Sequence, residues 1–151
     1  MQPSETSPQQ VLNPDVAESR TILMVEDDAS VMDVGAAILN DCGYAVVSVG
    51  SADEAMQKVQ DGLTFDLLFC DIVMPGEMNG VALAGEIRRL MPRAPILLTS
   101  GWADRALEHR GEGQGYAFIG KPYRHADLAR KIQLLFDGPD EVSGTTIANS
   151  R

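Results

Sequence analysis

The segment Phe65 to Cys70, apolar except for Asp66, ends in the carboxylate of Asp71 and is followed by the turn residues Pro75 and Gly76. An apolar run that is bounded by turn residues predicts a strand buried on both faces, as in a parallel sheet. An Asp at the carboxyl end of such a strand lies at the rim of the sheet, where open α/β folds place their chemistry. The segment therefore predicts both a buried strand and a candidate functional carboxylate.

Segments typical of strands alternate with segments of helical apolar spacing between about residue 21 and residue 137. The predicted strands cover 21–25, 44–49, 65–71, 95–99 and 116–119. Five such alternations predict parallel strands joined by right-handed crossovers. The fold class predicted from the pattern is an α/β three-layer sandwich.

Local signals predict where the five helices begin and end. Asp28 is expected to cap the first helix, and Ser51 with Glu54 forms a capping-box pattern before the second. The first three helices are predicted to end at Gly43, Gly62 and Pro92. The fourth helix, over 102–110, is weakly patterned, and the Gly138-Pro139 pair is expected to stop the fifth.

A chain of 151 residues is long enough for one domain with a substantial core. Residues 1–19 are rich in Pro, Ser, Gln and Asn and predict a flexible leader, and 138–151 predict a flexible tail. The domain itself is expected at 20–137. No output domain follows it, so a single-domain protein is expected.

Charge and cysteine usage restrict the partners and the compartment. The net charge of -10 would repel phosphate backbones and anionic lipid, so neither nucleic acid nor membrane is expected as a direct partner. No secretory signal or apolar run of roughly 20 residues is present. Cys42 and Cys70 lack metal-ligand spacing and are expected to be reduced, which favours a cytoplasmic location.

Charged and hydroxyl side chains follow the predicted strands at their carboxyl ends. Glu26 and Asp27 follow the first strand, and Asp71 ends the third. Ser100 follows the fourth strand, and Lys121 follows the fifth. Carboxylates about 4 Å apart repel by on the order of 4 kcal/mol per pair at an effective dielectric near 20, so a positive charge is required. Mg²⁺, which prefers hard oxygen ligands, and the ammonium of Lys121 are the candidates.

These residues resemble the motifs of response-regulator receiver domains, the aspartate-phosphorylated components of two-component signalling systems. The resemblance extends over 21–137 and rests on four motifs, Val25-Glu26-Asp27-Asp28, Asp71-Ile72-Val73-Met74-Pro75, Leu98-Thr99-Ser100-Gly101 and Lys121-Pro122-Tyr123. It implies a flavodoxin-like (βα)5 fold with strand order 2-1-3-4-5, an order known for receivers.

The resemblance also implies roles for the acids. Asp71 matches the phosphoacceptor, and Asp27 matches a direct ligand of Mg²⁺ or Mn²⁺. Glu26 matches an acid that acts on the metal through water, and the backbone carbonyl of Val73 matches a further metal ligand.

Three further positions complete the implied site. Ser100 matches the hydroxyl that binds the phosphoryl group, and the small Gly101 after it favours Ser100 over Thr99 for this role. Lys121 matches the lysine that pairs with the phosphoryl group. Phe118 matches the aromatic residue that repacks when the domain switches.

The function implied is transfer of a phosphoryl group from a sensor histidine kinase, or a histidine phosphotransfer protein, to Asp71. Phosphorylation would alter the surface of the fourth helix, fifth strand and fifth helix for a downstream protein target or a phosphorelay, in a monomer or a phosphorylation-dependent dimer. Such a domain is not an enzyme, although it assists its own phosphorylation and dephosphorylation.

Two other classes stay open at this point. A magnesium-dependent phosphatase with an aspartyl nucleophile usually carries a second acid two residues after the nucleophile, where this chain has Val73. A flavodoxin-like binding module for a nucleotide or flavin would need a glycine loop after the first strand, where acids stand instead.

Overall fold

A computed structural model describes residues 19–74, 76, 78–101 and 116–141, without the side chains of 138–141. The strands are β1 Thr21–Val25, β2 Ala45–Val49, β3 Leu67–Asp71, β4 Ile96–Gly101 and β5 Ala117–Lys121. They form one parallel sheet in the order β2-β1-β3-β4-β5. The predicted strand order and fold class are confirmed.

Within the described residues, four helices connect or follow the strands. They are α1 Ala29–Asp41, α2 Ala52–Gln60, α3 Gly80–Leu90 and α4 His125–Glu141. The predicted helix over 102–110 lies outside the described residues, as do most of the predicted leader and tail. No helix in the described ranges combines the length and the apolarity needed to cross a bilayer.

The sheet separates two apolar cores, which makes the three-layer arrangement explicit. On one face, α2 and α3 contribute Ala55, Leu83 and Ile87 against Leu68 and Leu98. On the other face, α1 and α4 pack against the sheet through a second set, which includes Leu39, Leu128, Ile132, Phe69 and Leu97. Because side chains alternate along a strand, odd- and even-numbered positions of β3 and β4 face different cores.

Most of the predicted helix ends are confirmed. Oδ1 of Asp28 accepts the backbone N–H of Ser30 at 2.9 Å, which caps α1. Oγ of Ser51 accepts the N–H of Glu54 at 3.1 Å and caps α2. Gly43 and Gly62 follow α1 and α2 with φ of 96° and 104°, a region that favours glycine.

Three predicted ends of elements are wrong, and the first is that of β5, which does not end at Ile119 but includes Lys121 as its last residue. Strand β4 does not close at Ser100 but continues through Gly101, because Ser100 and Gly101 pair with Gly120 and Lys121 of β5. Helix α4 does not stop at Gly138 but continues to Glu141. Pro139 removes a single N–H from its last turn, and the helix continues for two residues beyond it.

Candidate functional site

The carboxyl ends of the five parallel strands meet at one edge of the sheet, and the candidate residues lie there. Asp71 and Lys121 are the last residues of β3 and β5, and Glu26 directly follows β1. The order β2-β1-β3-β4-β5 places β3 at the centre, so Asp71 lies between the acids of β1 and the lysine of β5. The structure thus brings together residues that are far apart in the chain.

Asp71 is held at both of its carboxylate oxygens. The backbone N–H of Val73 donates to Oδ1 at 3.1 Å, and the ammonium of Lys121 donates to Oδ2 at 2.7 Å. Only 5% of Asp71 is exposed. Hydrogen bonds to a charged group are stronger than neutral ones, so this carboxylate has a defined orientation toward the edge of the sheet.

Lys121 contacts a second carboxylate. Its Nζ atom lies 3.1 Å from Oε1 of Glu26, in addition to the contact with Asp71. Burial alone would lower the pKa of Lys121, but the hydrogen bond and the charge of Asp71, followed by those of Glu26, raise it above 10.5. Lys121 is therefore a fully charged ammonium at neutral pH.

Glu26 is the most enclosed acid of the site, with 2% of its surface exposed. Its Oε2 accepts the N–H of Asp28 at 3.1 Å, whereas Oε1 lies in the ion pair with Lys121 without hydrogen-bond geometry. Burial raises the pKa of Glu26, and the charge of Asp71 raises it further, against the lowering effects of Asp28 and Lys121. One oxygen of this carboxylate thus remains available to a further ligand.

The acids of this edge fit a hard divalent cation. One carboxylate oxygen from each of Glu26, Asp27 and Asp71 lies within 4.8 Å of the others. Asp27 is exposed, whereas the other two are buried. Mg²⁺ binds through one or two carboxylates and retains waters, which matches one exposed and two buried acids beside an open edge.

Two neighbouring hydroxyl groups on β4 are buried without hydrogen-bond partners among the described residues, Oγ1 of Thr99 and Oγ of Ser100. Alternation along the strand directs them to different faces. Ser100 follows Leu98 onto the α2/α3 face, where Phe118 packs. Thr99 follows Leu97 onto the α1/α4 face. No hydrogen bond joins Ser100 to Asp71 or Lys121 within the described part of the chain.

The contacts of three residues of this site were not predicted from the sequence. A Cβ atom on Gly80, the first residue of α3, would overlap the backbone carbonyl oxygen of Asp71. Cys70 donates its thiol to that same oxygen at 3.2 Å, and burial raises its pKa well above 9.0. The hydroxyl of Tyr123 is enclosed without a described partner, and burial, followed by the charge of Glu26, raises its pKa to about 12. From the sequence, Cys70 is predicted only to be reduced and Tyr123 only to belong to the Lys121-Pro122-Tyr123 motif, and no pattern predicts these contacts.

Comparison with known proteins identifies similar chains. The family model described as "Response regulator receiver domain" matches residues 22–133. The sensor kinase CckA of Brucella abortus is 30% identical over 128 residues, which cover 83% of this chain and 13% of that protein. Transcription factor SKN7 of Chaetomium thermophilum is 35% identical over 83% of this chain and 17% of its own length. The chain thus spans a small part of these two relatives.

Among solved structures, the response regulator receiver protein from Sinorhizobium medicae aligns with a TM-score of 0.73. The two chains are 28% identical, and the alignment covers 81% of this chain and 98% of that one. In contrast to the two longer relatives, this receiver protein is matched over nearly its whole length. The shared structure therefore extends over an entire receiver chain.

Proposed function

Because this chain belongs to the family of response regulator receiver domains, we propose that it accepts a phosphoryl group on the carboxylate of Asp71. The observation that supports this most directly is the environment of that carboxylate. It is 5% exposed, its Oδ2 accepts a hydrogen bond from Lys121 at 2.7 Å, and it shares a 4.8 Å cluster with two other acids. The carboxylate of Asp71 therefore has the ammonium of Lys121 on one side and two acids that suit a metal cation, Glu26 and Asp27, on the other.

The proposed reaction transfers a phosphoryl group from a phosphohistidine of a sensor kinase or a phosphotransfer protein. One carboxylate oxygen of Asp71 attacks phosphorus and the P–N bond breaks, its electron pair staying on the imidazole nitrogen, which takes up a proton from solvent. The product is an acyl phosphate. Hydrolysis removes the phosphoryl group, because water attacks phosphorus and releases inorganic phosphate and the free carboxylate of Asp71.

Charge neutralisation is the main contribution of the protein to this chemistry, because the transition state spreads negative charge over the equatorial oxygens of phosphorus. Asp27, Asp71, the Val73 carbonyl and, through water, Glu26 would hold Mg²⁺, which would supply part of that neutralisation. Lys121 supplies the rest from the β5 side. The hydroxyl of Ser100, which has no described partner, donates to a phosphoryl oxygen.

The signal is proposed to leave the site through Phe118. Ser100 and Phe118 lie on adjacent strands and face the same side of the sheet, and Leu98, on the same face as Ser100, pairs in register with Phe118. Movement of Ser100 toward a phosphoryl group leaves space that Phe118 fills. This rearrangement alters the surface of the predicted fourth helix, β5 and α4 for a downstream protein, as a population shift driven by the phosphoryl group. The chain itself would act in the cytoplasm.

Incubation with Mg²⁺ and a small phosphodonor such as phosphoramidate tests the proposal. Intact-mass spectrometry should detect the addition of one phosphoryl group, which Asp71→Asn abolishes and which the matched control Asp33→Asn, an exposed acid on α1, retains. Labelling of the Asp71→Asn variant equal to that of the wild type would contradict the proposal. Continuous multiple-turnover release of phosphate from an aryl phosphate would instead support the alternative of an aspartyl phosphatase.

A further inference from the structure

The hydroxyl group of Thr99 has no assigned role and an unfavourable environment. Thr99 is 3% exposed, and its Oγ1 has no hydrogen-bond partner among the described residues. A buried hydroxyl that no described residue hydrogen-bonds loses its hydration without a replacement in that part of the chain, where valine, which has the same shape, would do as well. A hydroxyl at this position is therefore explained by a role in another state of the site.

The strand order explains where this hydroxyl lies. Strand β4 lies between β3 and β5, so the side chain of Lys121 must pass over β4 to reach Asp71. In the register of the sheet, Thr99 pairs with Asp71 on one side, and Gly101 pairs with Lys121 on the other. Because Leu97 lies in the α1/α4 core, Thr99 is directed to the face that carries Asp71 and Lys121.

We propose that Thr99 is a positioning residue for Lys121: its hydroxyl accepts a hydrogen bond from the ammonium once Asp71 is engaged by phosphorus, an inference that rests on the proposed function. This role differs from that of Ser100, whose side chain is directed to the opposite face of β4. The hydroxyl of Thr99 thus binds the ammonium of Lys121, whereas the hydroxyl of Ser100 binds the phosphoryl group.

The resting contacts of Lys121 leave one donor of its ammonium without an acceptor among the described residues. An ammonium has three N–H donors. In the resting protein, the ammonium of Lys121 contacts Asp71 and Glu26, which lie on the other side of β4 from β5. During transfer, the Asp71 oxygen that becomes bonded to phosphorus loses its charge, and a cation held by the acids would compete with Lys121 for Glu26. The register places Thr99 on the face of β4 that the Lys121 side chain crosses, and its hydroxyl is an acceptor that no described group uses. It keeps the ammonium over the site while its acceptors change.

Two variants separate the hydroxyl of Thr99 from its shape. Thr99→Val keeps the volume and removes the hydroxyl, whereas Thr99→Ser keeps the hydroxyl and removes a methyl group. With phosphoramidate as the donor, the maximal rate of acyl phosphate formation should fall about tenfold in Thr99→Val, a typical effect for one hydrogen bond to a charged group. Thr99→Ser should remain within about twofold of the wild-type rate.

Measurements of stability and affinity distinguish positioning from a purely structural role. In EDTA, the urea midpoint should be equal or higher in Thr99→Val and lower in Thr99→Ser, which is opposite to the order of the rates. The Mg²⁺ concentration for half-maximal rate should be unchanged in both variants. Equal rates in Thr99→Val and wild type would overturn the inference, as would equal slowing in both variants. If the wild type accepted no phosphoryl group, the proposed function itself would fail, a result distinct from either of these.

Discussion

The Nζ atom of Lys121 lies 2.7 Å from Oδ2 of Asp71 although β4 separates the strands that carry the two residues. The same ammonium also lies 3.1 Å from Oε1 of Glu26, which follows β1. One cation thus contacts carboxylates from two other strands. This arrangement offsets the repulsion between two buried acids in the resting protein and determines how the site responds to substitution, pH and metal.

Removal of the ammonium should destabilise the metal-free protein. Lys121→Met leaves two buried carboxylates without their cation, and we expect the free energy of unfolding at pH 7 to fall by about 3 kcal/mol. Urea denaturation in EDTA measures this change. The matched control Lys58→Met, an exposed lysine on α2, should change stability by less than about 0.5 kcal/mol. Equal effects of the two substitutions would contradict this account of the ion pair.

The raised pKa of Glu26 predicts a specific dependence of stability on pH. In the unfolded chain this group titrates near 4.5, whereas in the fold its pKa is higher, so the folded protein binds more protons between these values. Its contribution to stability is complete below pH 4.5 and is lost as the pH rises through the folded pKa. In EDTA, Glu26→Gln should remove this decline and raise stability at pH 7 relative to the wild type. A decline of the same size in the variant would assign it to another group.

Gly80 should tolerate no side chain, because a Cβ atom there would overlap the backbone of Asp71 and Ile72. We expect Gly80→Ala to lower the free energy of unfolding by about 2 kcal/mol through overpacking between α3 and β3. Gly85→Ala is the matched control on the exposed side of the same helix, where the nearest atom would be 4.0 Å away. It should raise stability by up to about 1 kcal/mol through helix propensity. Equal effects of the two substitutions on the free energy of unfolding would contradict the close packing of Gly80 against Asp71.

Asp27 should contribute to metal affinity without contributing to metal-free stability. It is exposed, in contrast to Glu26 and Asp71, so Asp27→Asn should leave the melting temperature in EDTA unchanged. The variant should bind Mg²⁺ about tenfold or more weakly, seen as a smaller rise of the melting temperature with added Mg²⁺. Asp33→Asn, on the exposed side of α1, should retain the full rise. A full rise in Asp27→Asn would exclude this acid from the metal site.

The fold was predictable because short, mostly apolar strand segments alternate with helical patterns, of which only the one over 102–110 is weak. The edge of the sheet where the candidate residues meet followed from the parallel arrangement alone. The extension of β4 was not predictable, since Ser100 and Gly101 are typical turn residues and only their pairing with β5 keeps them in the strand.

The contacts within the site required the register of the sheet. The ion pair between Lys121 and Glu26, which joins β5 to the end of β1, has no sequence pattern. Nor does the packing of Gly80 against Asp71 or the unpartnered hydroxyl of Thr99, among the described residues. These features depend on distances between strands, and local sequence carries no information about such distances.

Identification of the modified residue tests the central claim most directly. After phosphorylation with phosphoramidate and Mg²⁺, borohydride reduction converts an aspartyl phosphate to homoserine, which peptide mass spectrometry can assign to a position. We predict homoserine at position 71 and at no other acidic residue. Homoserine in place of Asp27 or another acid, or a phosphoryl group on His or Lys instead, would contradict the assignment of Asp71 as the phosphoacceptor.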